Sequence, residues 1–307
     1  MRLVRVLALA LAVFPAQAAG QARPEGDEWL RRPVNDQTFR TYLSFFSYDK
    51  AQPLDVRVSA TQEVEGVKVE ALSYQSAPGI RVTARLNFAP GGTQGGPGVV
   101  LIHGGGGPGK DSPGMKAWAE FLARAGYTTL SFDLQHFGER KTELLTTFTE
   151  ADKHNRLYNQ PSVYLTWVIQ TVKDAGRGYD LLVERGVDPN RIALVGISRG
   201  GQLSLIVGGA ESRFATVVAL IAGHFDALET GHEAAACPAN YIGRISPRPL
   251  LMVNGNLDAD YKREITVEPL QRLAKQPRQF VWHEEGHTLP AEFTRATVMQ
   301  WLRERLK

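Results

Sequence analysis

Apolar and polar positions along this chain follow two regimes. Over residues 54–58, 64–74 and 80–88 (IRVTARLNF) they alternate, the period of strands with one buried face. These stretches predict antiparallel strands opening a mixed sheet. After the Gly-rich loop 90–97, short unbroken apolar runs take turns with helical repeats. Residues 99–102, 127–132, 191–195, 216–221, 249–253 and 279–282 read as strands buried on both faces. Helices are predicted over 36–46, 115–125 (MKAWAEFLARA), 164–185 and 292–306, the third with a break at Gly176 and Gly178. Residues 19–35 read as a loose polar leader. The pattern predicts an α/β class: a mostly parallel twisted sheet with N-terminal antiparallel strands and helices on both faces. Two stretches fit neither regime, 136–160 and 223–247. Both follow strands on the edge where a parallel sheet builds its site, so both are expected to shape a pocket or lid.

Composition changes this picture little. Met1-Arg-Leu-Val-Arg5, an apolar run over 6–14 and Pro15-Ala-Gln-Ala18 have the layout of a secretory signal cut near Ala18. Nine apolar residues are too few to span a bilayer. An exported chain without a stable membrane anchor is expected, periplasmic or secreted, with residues 19–307 forming one domain. Loss of Arg2 and Arg5 with the leader takes the net charge from +3 to +1, and no basic block reads as a nucleic-acid surface. The single cysteine, Cys237, has no partner for an internal disulfide and no companions at finger-like spacing.

The chemistry gathers where strands end. Residues 191–195 run into Gly196-Ile197-Ser198-Arg199-Gly200, and an apolar helix follows. A strand turning into a helix through G-x-S-x-G holds its serine exposed in a strained conformation. Such a serine also sits at a helix N-terminus that favours developing negative charge. It attacks a carbonyl only if a base takes its proton and an acid orients that base. Asp258, just past the strand 249–253, and His287, just past 279–282, supply these in the order Ser, Asp, His. Asp260 and Asp226 rival the acid, and His283 rivals the base. Upstream, His103-Gly-Gly-Gly-Gly107 follows its own strand, and glycines let a backbone point amides at an oxyanion. Gly105 and Gly106 are the expected donors from this loop, with the Arg199 amide from the elbow, while His103 pins the loop. Gly104 to Lys110 also matches G-x-x-x-x-G-K, but Asp111 stands where a nucleotide site needs Ser or Thr. The seven histidines are scattered, so no metal or organic cofactor is implied. His224, His232 and Glu233 read as surface or capping residues, with pocket lining as the alternative.

On HGGGG at 103–107, SFDLQHFGER at 131–140, DPNRIALVGISRGG at 188–201, PLLMVNGNLD at 249–258 and EEGH at 284–287, the chain resembles the α/β-hydrolase family. It looks closest to the dienelactone-hydrolase and acetyl-xylan-esterase-like branch. The resemblance implies the α/β-hydrolase fold, with Ser198 as nucleophile, Asp258 as acid and His287 as base; it gives Asp133 a turn-stabilising role. Ser198 stands where true dienelactone hydrolases carry cysteine, so their substrate is not carried over. There is no length for the propeller of prolyl-oligopeptidase relatives. The expected activity is hydrolysis of a small-molecule or carbohydrate ester through an acyl-enzyme. The alternatives are a peptidase, an acyl transferase, or a binding module that has lost catalysis.

Overall fold

The computed structural model describes residues 27–225, 228–229 and 231–307; the leader over 1–18 and the rival acid Asp226 lie outside them. Helices α1 (Asp27–Arg31) and α2 (Asp36–Phe45) come first. The side chain of Asn35 caps α2 by accepting from the Thr38 amide. Strands β1 (Arg57–Val64), β2 (Val67–Ala77) and β3 (Ile80–Asn87) form an antiparallel meander. Then β4 (Gly98–Ile102), α3 (Pro113–Arg124), β5 (Thr128–Phe132), α4 (Glu150–Lys153), α5 (Pro161–Glu184), β6 (Ile192–Ile197), α6 (Arg199–Ala210), β7 (Thr216–Leu220), β8 (Leu250–Gly255), α7 (Glu268–Leu273), β9 (Arg278–His283) and α8 (Ala291–Arg305) follow. The nine strands among the described residues join one sheet in the order β1-β2-β3-β5-β4-β6-β7-β8-β9. β3 pairs antiparallel with β5, and every pairing from β5 to β9 is parallel. This is the mixed, mostly parallel sheet that the patterning predicts, in the arrangement that the resemblance implies.

The central strands are buried on both faces because side chains alternate across a sheet. Val100, Ile102, Leu194, Val217 and Met252 face one core, shared with α5 and α6. Val99, Leu101, Val195, Val218 and Leu251, one residue out of step, face the other core, shared with α3 and α8. Each fully buried Val, Leu or Ile contributes roughly 1.5–3 kcal/mol of burial. The central strands therefore need no polar face, and their sequences show none.

Three expectations are corrected. The first strand spans Arg57–Val64, not 54–58, and is exposed along nearly its whole length. With no buried face it leaves little hydrophobic signature, and its pairing with β2 defines it. α5 runs unbroken through Gly176 and Gly178. A β-carbon on Gly176 would lie 2.6 Å from the Tyr48 hydroxyl, and one on Gly178 would lie 2.9 Å from Leu130 Cδ2. Those glycines serve close packing, which outweighs their low helix propensity. Finally, α1 interrupts the supposed loose leader, and the Val34 amide ties the following turn to Asn240 Oδ1 at 2.9 Å.

Candidate active site

Ser198 occupies the junction of β6 and α6 at φ +57° and ψ −122°. This left-handed backbone costs a non-glycine residue about 1–3 kcal/mol. Its surroundings leave no alternative. The Ser198 amide donates to Leu220 O at 2.8 Å, and the Gln202 amide donates back to Ser198 O at 3.0 Å. A β-carbon on Gly196 would lie 2.1 Å from Gly200 O, and one on Gly200 would lie 2.2 Å from Ile102 O. Neither position tolerates a side chain, so the motif's glycines are set by packing of helix on strand.

The strand-end loops bring two further residues to this serine. Ser198 Oγ lies 2.8 Å from His287 Nε2. His287 Nδ1 lies 2.9 Å from Asp258 Oδ2. The other oxygen of Asp258 accepts from the amides of Asp260 and Tyr261 at 2.9 and 3.0 Å. Asp258 is thus buried and oriented from both sides. The loops after β8 and β9 are pressed together, since a β-carbon on Gly255 would meet Glu285 O and Gly286 O at 2.3 Å. Burial disfavours the His287 cation, but the hydrogen bond and charge of Asp258, with Asp260 and Glu150 adding, outweigh it and raise its pKa. Asp260 lies 3.6 Å from the same nitrogen and is largely exposed. The rival His283 stays on β9 with its ring 4.6 Å from that of Phe293.

Ser198 and His287 open onto a cavity of about 440 Å³. Gly105 and Gly106 line it beside Ser198, with Phe148, Glu150, Lys153, His154 and Tyr158 on one wall and Leu228, Ala259 and Tyr261 on another. Both irregular stretches therefore contribute lining. Lys153 Nζ donates to Gly105 O at 3.1 Å, which orients that peptide. Gly104 abuts the elbow: its β-carbon would lie 3.3 Å from Ser198 Cβ. His103 anchors the strand end: its Nε2 accepts from the Leu134 amide at 3.0 Å, and Nδ1 lies 2.6 Å from Gly104 O. Burial holds its pKa below the ordinary value, so it is a neutral strut.

Lys110, the apparent phosphate-binding lysine, is buried and pairs with Asp111, Asp133 and Glu139. Its ammonium is committed to the protein's own carboxylates. Asp133 also accepts from the Lys110 and Glu139 amides and from Thr83 Oγ1, a turn-holding role.

Patterning does not reveal the side chain of Arg199. It is buried beside Ser198, donates to Glu229 Oε1 and Gln202 Oε1 at 2.5 Å, and lies over the Tyr158 ring at 3.9 Å. Glu229 is 1% exposed. A lone acid in an irregular stretch gives no sequence signal; its partner lies 30 residues away. His224 and His232, expected at the surface, are buried. His232 and Glu233 line a separate cavity instead of the one at Ser198.

A family model described as the alpha/beta hydrolase family matches residues 99–305. No curated protein sequence matches the chain. Among solved structures, the chain is similar to an acetyl xylan esterase from Paenibacillus sp. R4, with 16% identity, TM-score 0.65, and 91% of this chain and 99% of that one covered. It is also similar to acetyl xylan esterase 1 from Thermoanaerobacterium sp. JW/SL YS485, with 15% identity, TM-score 0.67, and 92% and 98% covered. A glucuronoyl esterase from Solibacter usitatus aligns at 12% identity and TM-score 0.58 over 89% and 94%. These likenesses establish the shared fold.

Proposed function

The chain belongs to the alpha/beta hydrolase family, and we propose that within it this protein is a serine hydrolase of carboxylic esters. One observation carries the reading: the relay from Ser198 Oγ through His287 to a buried, amide-held Asp258, opening on a cavity. In this proposal Ser198 Oγ attacks the ester carbonyl while His287 Nε2 takes its proton. Asp258 keeps the imidazole in the tautomer that accepts at Nε2 and stabilises the cation formed. The oxyanion is met by the Arg199 amide, at the start of α6, and by Gly105 or Gly106. Each such donor contributes roughly 2.7–4 kcal/mol to the transition state. Collapse of the tetrahedral intermediate passes the proton from His287 to the departing alcohol. Water then repeats the sequence on the acyl-enzyme and frees the acid and Ser198. The esterase titles of the structural neighbours are in keeping with this chemistry.

A fluorophosphonate probe tests it directly. Labelling of the native chain that vanishes in Ser198→Ala, with p-nitrophenyl ester turnover falling roughly 10⁶-fold, is the expected result. Labelling that survives in Ser198→Ala would overturn the proposal. Export through a leader cleaved near Ala18 belongs to the same proposal, and N-terminal sequencing of the mature chain tests it.

A further inference from the structure

Three groups of metal-ligating side chains converge among the described residues. Asp111, Asp133 and Glu139 enclose Lys110 Nζ, which already answers their charge. Asp258, Asp260 and His287 belong to the site above. The third group, His224, His232 and Cys237, lies in the irregular stretch after β7 and serves nothing described so far. All three residues are buried, and one donor atom from each lies within 4.8 Å of the others. His224 Nε2 is 3.3 Å from Cys237 Sγ. His232 is the anomaly. Both of its ring nitrogens are buried without a hydrogen-bond partner, and its ring lies 3.5 Å from that of Phe225 and 5.4 Å from that of Trp29. A neutral imidazole carries one donor and one acceptor, and an apolar enclosure that satisfies neither is unfavourable. Two imidazoles and a thiol meeting in such an enclosure form a donor set for a borderline-soft ion.

We propose that His224, His232 and Cys237 form a zinc site of the Cys-His₂ type. Bonds of about 2.1 Å to nitrogen and 2.3 Å to sulfur set tetrahedral donors about 3.3–3.6 Å apart. His224 and Cys237 stand near that separation, and the widest pair closes by drawing in about 1 Å. Binding displaces the thiol proton to solvent as the S–Zn bond forms, while the imidazoles bind neutral. A cavity of about 430 Å³ bordered by His232, Trp29, Glu28 and Glu233 lies on one side of the group. The ion's role is structural. It ties His224 to His232 and Cys237, and between them in sequence Leu228 lines the first cavity and Glu229 meets Arg199. Gln202 completes the link, donating to His224 O at 2.6 Å while accepting from Arg199. The site rests on its own geometry and stands or falls independently of ester hydrolysis.

The test reads metal, not turnover. Purified native chain is titrated with Zn²⁺ against a chromogenic chelator, and with Co²⁺ while its absorption spectrum is followed. One Zn²⁺ per chain is expected, with a thiolate-to-cobalt charge-transfer band in the near ultraviolet. Cys237→Ser removes that band, Cys237→Ser and His232→Gln each weaken zinc binding roughly a hundredfold or more, and His287→Gln changes neither. A folded native chain that takes up less than one equivalent from excess zinc overturns the proposal. So does bound cobalt without the thiolate band, a readout on the native chain that needs no variant to fold. Zinc affinity unchanged in Cys237→Ser and His232→Gln, or lost in His287→Gln, also overturns it.

Discussion

The loops that end β6, β8 and β9 and the two irregular stretches that roof them build the walls of one cavity by different means. In the strand-end loops the acid and the elbow are fixed by nearby backbone: Asp258 accepts from the amides of Asp260 and Tyr261, and the Ser198 carbonyl accepts from the Gln202 amide. In the roof, side chains bridge to partners distant in sequence: Glu229 to Arg199, Lys153 to the Gly105 carbonyl, and Gln202 to the His224 carbonyl. Backbone fixing gives precision at low cost, because the donors are already ordered by the sheet. Side-chain fixing leaves charges buried, so removing one partner strands the other. The first wall suits reacting atoms; the second holds shape.

This contrast can be broken at graded cost. The largest effect is expected within the strand-end wall itself. Asp258→Asn should lower ester kcat roughly 10⁴-fold by favouring the wrong imidazole tautomer. Asp260→Asn, which alters an exposed group 3.6 Å from the same nitrogen, should cost less than about tenfold. Equal losses would show that the two carboxylates share the role.

In the roof, Glu229→Gln removes a carboxylate from the buried Arg199 guanidinium and should destabilise the chain by about 3–5 kcal/mol in denaturant unfolding. Glu139→Gln removes a largely exposed partner of Lys110 and should cost no more than about 1 kcal/mol. A small loss at Glu229 would mean that water or relaxation reaches Arg199.

The subtlest effect is in pH. In the proposed relay only neutral His287 accepts the serine proton, and its pKa is raised, so kcat/KM should fall on acidification at a higher pH than an ordinary histidine at about 6.5 would give. Asp260→Asn should move that midpoint down, since Asp260 charge contributes to the rise. The sign for stability is opposite. A raised folded pKa favours the protonated fold, so this contribution is full below the unfolded value and is lost as pH rises through the folded one. Parallel pH series of turnover and of unfolding check both signs.

Legibility followed the same divide. Apolar runs in β4 to β8 announce their burial, and G-x-S-x-G, HGGGG and the strand-end Asp and His are local signals. Asp258 and Asp260 sit on one loop with similar local context, and only the folded loop buries one and exposes the other. β1 is invisible to patterning because neither of its faces is buried. Gly176 and Gly178 look like helix breakers until Tyr48 and Leu130 are seen against them.

By itself, then, the sequence determined the two regimes of the sheet, the elbow, and the strand ends that bear Ser198, Asp258 and His287, because periodicity and turn chemistry act over a few residues. Tertiary structure decided which carboxylate meets His287, that Arg199 and Glu229 form a buried pair, and that His224, His232 and Cys237 converge. Those contacts depend on how irregular segments fold back over the sheet, and no local pattern encodes where a long-range partner will lie.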